Sequence, residues 1–141
     1  MTITISVDNS QDIIDSRDII ARIAELQSDW NEATGDDNAN YAALSEDDWA
    51  VGLGEDEAHE LVALMELAED GETNIADWRY GEALIRESYF TEYAEELADD
   101  IGAIDRNAGW PLAHIDWEAA ADALKIDYTE IDFDGVTYLA R

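Results

Sequence analysis

Residues 91–102 read TEYAEELADDIG, with carboxylates at Glu92, Glu95, Glu96, Asp99 and Asp100 and neither lysine nor arginine among them. Such groups can act as an acid–base pair, ligate a hard cation, or present fixed anions to a basic surface. With 36 Asp and Glu in the chain, a hydrolytic carboxylate pair is easily found by chance, and an enzyme would also need a concave pocket with perturbed carboxylates.

Metal and phosphate chemistry find weak support. Glu130, Asp132, Asp134 and Gly135 match positions 1, 3, 5 and 6 of an EF-hand loop, but Arg141 stands where a bidentate Glu is required. Asp36, Asn38, Asn40 and Asp47 have similar spacing, with Tyr41 in place of the needed glycine. His59 in EAHELV is not part of HExxH, and His114 has no second histidine nearby, so both read as structural or surface residues. No GxSxG elbow occurs. In GLGEDEA, residues 52–58, three consecutive acids would repel the phosphate such a loop must hold. No catalytic residue, metal or cofactor is therefore expected.

A row of anions remains. Counted from Glu92, the acids fall at i, i+3, i+4, i+7 and i+8, while Phe90, Tyr93, Ala94, Leu97 and Ile101 recur on another side, as in an amphipathic helix. Ser88 as N-cap and Gly102 as C′ residue predict a helix over about 88–101. Five like-charge pairs at helical spacing cost roughly 1–2.5 kcal/mol. Asp99 and Asp100 also sit at the negative end of the macrodipole. A solvated face explains polarity but not the missing cations.

The elements that must carry this row are legible around it. Residues 2–7, TITISV, alternate as a short strand. Asp15 or Ser16 caps a helix with apolar stripe Ile19, Ile23, Leu26 and Trp30; Arg22 can pair with Asp18. Residues 34–45 suit a linker. Ser45 and Asp48 form a capping box before Trp49. A helix from Glu55 turns Ala58, Leu61, Val62, Met65 and Ala68 inward and ends at Gly71; another passes through Leu84 and Ile85. Asp116 caps DWEAAADALK, with Ile115 as hydrophobic staple. Asp134-Gly135 signals a type I′ hairpin pairing Phe133 with Val136, Ile131 with Tyr138 and Thr129 with Ala140. The four Asp-Trp pairs are irregularly spaced and form no repeat; most of their tryptophans suit a core. The expected class is α+β: amphipathic helices packed with small antiparallel β-sheets. Residues 1–45 form an N-terminal strand–helix subdomain and 46–141 a helical region with the hairpin, or the two make one continuous unit.

The charge bias covers the whole chain, with net charge −29 over 141 residues. Hydrophobic residues make up 47%, too many for a disordered polyanion. Without cysteine there are no disulfides or thiolate sites, which suits a reducing cytoplasm, and no leader or long apolar span is visible. Nucleic acid and anionic membranes should repel the chain, so a basic partner is expected. Since duplex DNA carries one charge per about 1.7 Å of axis, the net charge of −29 equals about 14 base pairs, and rows of acids on a folded body could fill a groove built for duplex. Within that reading the 92–100 stripe comes first, followed by Glu66, Glu69, Asp70, Asp105, Glu118 and Asp122.

Over about residues 80–139, SYFTEYAEELADDIGAI and WPLAHIDWEAAADALKIDYTEIDFDGVTYL resemble the C-terminal part of the ArdA antirestriction proteins. Tyr89-Phe90, Glu92-Tyr93-Ala94, Asp100-Ile101-Gly102 and Ile115-Asp116-Trp117-Glu118-Ala119-Ala120 are the most distinctive matches. These are phage- and plasmid-encoded acidic DNA mimics that occupy the DNA-binding cleft of type I restriction-modification enzymes. The resemblance implies a non-enzymatic anti-defence inhibitor in the host cytoplasm, dimerising through its C-terminal part. An anti-CRISPR DNA mimic, an acidic protein binding another basic protein, and adaptation to high salt are the alternatives.

Overall fold

The computed structural model describes residues 7–104, 109–110 and 114–141. Among them the chain runs β1 (Ile13–Asp15), α1 (Ser16–Thr34), α2 (Glu46–Leu53), α3 (Glu55–Asn74), β2 (Ala83–Arg86), α4 (Phe90–Asp100), α5 (Trp117–Lys125), β3 (Thr129–Phe133) and β4 (Val136–Ala140). Most of the expected 2–7 strand, residues 2–6, lies outside the described residues, though Val7 is buried.

The C-terminal hairpin follows from its turn. Asp134 and Gly135 have φ of 49° and 85°, the two positive values that a type I′ turn demands. The resulting register pairs Thr129 with Ala140, Ile131 with Tyr138 and Phe133 with Val136, as the alternation predicts. The fold is α+β, but its strands join one antiparallel sheet, ordered β1-β2-β4-β3, rather than several small ones.

That sheet is covered on both faces. Neighbouring strand residues point to opposite sides. Leu84 and Tyr138 enter one core with Leu26, Trp30, Leu61 and Leu64 of α1 and α3. Ile85 and Leu139 enter a smaller one with Phe90, Ala94 and Ala121 of α4 and α5. Three layers result: α1, α2 and α3, then the sheet, then α4 and α5. This corrects the expected helix through Leu84 and Ile85. An apolar pair buried on both sides is a central-strand signature that a short run cannot distinguish from a helix. The larger core also draws on residues either side of the 34–45 segment, within which Tyr41 packs on Trp49 with ring centroids 5.4 Å apart.

Local signals set most helix ends. Asp15 caps α1 by accepting from the Arg17 N–H, while Ser16 is buried, its Oγ donating to the Trp78 carbonyl at 2.8 Å. Ser45 and Asp48 form a reciprocal capping box at α2, and Asp116 caps α5.

Two expectations change. Arg22 does not turn to Asp18; its side chain, 7% exposed, reaches Glu60 of α3 at 2.5 Å and Glu25 at 3.0 Å. A buried guanidinium requires paired carboxylates, and Glu60 closes a bidentate pair that joins two helices. Gly71 does not end α3, which continues to Asn74; Gly71 is there because a Cβ would lie 2.4 Å from the ring of buried Trp78.

Gly71→Ala is therefore expected to lower stability by about 1–3 kcal/mol through forced movement of Trp78. Urea unfolding measures this; a variant unchanged or more stable, as at a mid-helix glycine with open space around it, would remove the Trp78 contact from the account.

Candidate partner-binding surface

Helix α4 starts differently from its sequence signal. Ser88 does not cap it: Tyr89 holds the N-cap position with no side-chain cap, and Ser88 Oγ accepts from the Arg86 guanidinium at 3.0 Å. A 3-10 turn over Glu87–Tyr89 leads into Phe90 instead. Its C-terminal end is as expected: Gly102, φ 73°, donates to the Asp99 carbonyl at 3.0 Å and Ala103 to that of Ala98 at 2.9 Å, satisfying two final carbonyls.

Burial of Phe90 and Ala94 fixes which side of α4 faces inward. Phe90 meets Tyr128 edge-on with centroids 5.1 Å apart, and the Tyr93 and Tyr128 hydroxyls are 3.2 Å apart. With that side held, Glu92, Glu96, Asp99 and Asp100 are exposed and Glu95 half-buried. Tyr89 donates its hydroxyl to the Glu96 carboxylate at 2.9 Å. That bond, aided by desolvation and the Glu96 and Glu92 charges, raises the Tyr89 pKa above the ordinary phenol value.

Glu118 and Asp122 lie exposed on α5, which packs against α4, so they share its layer. Lys125 approaches Asp122 at 3.8 Å and lies 5.8 Å above the Phe90 ring. Glu66, Glu69 and Asp70 are exposed on α3, in the layer across the sheet. The structure thus groups seven of the candidate acids in the α4–α5 layer and places three in the other. Asp105 lies outside the described residues.

Comparison with protein-family models, curated proteins and solved structures finds no match for this chain. Among the described residues no group of three or more His, Asp or Glu could hold a metal ion. The calcium-like spacing at the C-terminus serves the hairpin: Asp132 accepts from the turn N–H of Gly135 at 3.3 Å. Among the described residues no helix is long and apolar enough to cross a membrane.

Sequence reasoning missed the role of His59. Its Nδ1 lies 3.1 Å from Glu46 of α2, and its Nε2 lies 3.0 Å from Asp134 in the hairpin turn. Only protonated imidazole donates from both nitrogens. The Asp134 hydrogen bond, then the Asp134 charge and the Glu46 hydrogen bond, raise the His59 pKa above 6.5. The available signal was the capping of α2 beside the α3 N-terminus, which brings Glu46 near residue 59.

Because the folded-state value exceeds 6.5, the bridge's contribution is complete below pH 6.5 and fades as pH rises through the folded value. His59→Gln should therefore cost more stability at about pH 6 than at about pH 9, read from urea midpoints. A cost independent of pH would remove the bridge from the account.

Proposed function

We propose that this protein is a DNA-mimic inhibitor that occupies the DNA-binding cleft of a bacterial defence nuclease in the host cytoplasm, with a type I restriction-modification enzyme as first target and a CRISPR effector as second. One observation carries the reading: a single 11-residue helix that a packed core holds in place carries five carboxylates, four of them exposed. From Glu92 to Asp100 the helix advances about 12 Å, so successive charges of the row lie on average roughly 3 Å apart along the axis, against about 1.7 Å in duplex DNA. Glu118 and Asp122 on α5 widen it.

A target cleft supplies lysine and arginine that relieve the helix's own repulsion. Because the anions are ordered beforehand, little entropy is lost on docking. Attraction is felt at a distance, so association is fast and falls with salt. The ArdA-like segments cover this layer, and the dimer that they imply would bring two such rows together. Glu66, Glu69 and Asp70, across the sheet, are secondary in this reading.

Competition with labelled duplex for a purified type I enzyme, at several salt concentrations, tests the assignment. The protein should displace DNA, less effectively as salt rises. Replacing Glu92, Glu96, Asp99 and Asp100 together by lysine should abolish displacement while circular dichroism shows an intact fold at low salt. Undiminished displacement by that variant would refute the role of α4. A parent protein that unfolds at low salt would point to adaptation to a saline interior instead.

A further inference from the structure

An open trough of about 610 Å³ lies in the other helical layer, between α1, α3 and the 41–44 segment. Its floor is apolar: Ile20 and Ile23 from α1, Trp49 from α2, and Val62 and Met65 from α3. Ile20 is 38% exposed beside the fully buried Ile19. Glu66, Glu69 and Glu72 follow one another at three-residue intervals and also line the trough. The last turn of α3 has no basic residue to balance them.

We propose that this trough docks a basic amphipathic helix of a partner protein, its aliphatic face on the floor and its lysines or arginines against Glu66, Glu69 and Glu72. The pattern matches helix-in-groove recognition, in which an apolar face fills a groove and charge fixes orientation. The α3 residues that line the trough run from Val62 to Glu72, about 15 Å along that helix, or roughly three turns of a docked helix. Met65 is flexible and polarizable, so the floor can adapt to different aliphatic side chains. Charge also selects the occupant. A second copy carries net charge −29 and would meet a rim of its own sign. A neutral small molecule would leave the three glutamates without a role. The trough lies across the sheet from α4, so this inference stands independently of the DNA-mimic reading.

The test uses the full chain and a fluorescein-labelled leucine–lysine peptide of about 12 residues patterned as an amphipathic helix. A scrambled peptide of equal composition is the control, and anisotropy is the readout. The patterned peptide should bind more tightly than the scrambled one. Glu66→Gln, Glu69→Gln and Glu72→Gln combined should weaken it about tenfold. The same charge removed from α4, by Glu92→Gln, Glu96→Gln and Asp100→Asn, should change affinity less than about twofold. Ile20→Glu adds an anion at an exposed position, so simple charge attraction would strengthen binding, whereas docking on the floor requires it to weaken. Equal binding of both peptides, equal losses from the two triple variants, or tighter binding by Ile20→Glu would overturn the proposal. So would self-association of the parent abolished by Ile20→Glu, which would assign the trough to a second copy, or an apolar dye bound there without peptide competition, which would assign it to a small molecule.

Discussion

The burial of consecutive strand residues on opposite faces of one sheet holds this molecule together. Leu84 and Ile85, like Tyr138 and Leu139, send one side chain into each core, so both helical layers depend on β2 and β4. At net charge −29 the compact state bears a heavy self-repulsion, and buried apolar area is the main term that offsets it. Both central strands therefore carry large, fully buried side chains, and Trp49 and Trp78 complete the larger core.

Three of the cations follow the same economy. Arg22 sits between α1 and α3, where one guanidinium serves Glu25 and Glu60 and approaches Glu57 at 3.9 Å. Arg86 bonds inward to the Asn9 carbonyl at 3.0 Å, and Lys125 lies over Phe90. These cations join elements of the fold, while Glu92, Glu96 and Asp100 are turned to solvent. A scaffold that places cations at its seams can present ordered anions outside, the property on which a mimic of a charged polymer would rely.

Legibility tracked distance along the chain. The hairpin register, the Asp15 and Asp116 caps and the Ser45 capping box could be read because each signal lies within a few residues of its effect. The helical spacing of the 92–100 acids could be read for the same reason. The strand at Leu84 could not, since a four-residue element buried on both faces has no alternation to show. Gly71 resembled a helix end, its true reason being Trp78 packed against it. Arg22 finds Glu60 across 38 residues, and His59 finds Asp134 across 75. Which acids share a layer depends on the sheet that separates α3 from α4, so the split between them emerged only from the fold. The trough had a fainter trace: Ile20 beside Ile19 and Ile23 widens the apolar arc of α1 beyond one stripe.

The sheet also has open borders. β1 at one end is three residues long, too short to template much pairing. β3 at the other is longer, and strands from other molecules could extend it, yet its outward side chains are Glu130 and Asp132. A second copy aligning along that margin would set like charges against one another. Its tip is also fastened, since Asn9 donates to the Asp134 carbonyl at 3.1 Å while His59 holds the Asp134 carboxylate. Acidity that burdens the monomer thus also works against edge-to-edge pairing along β3.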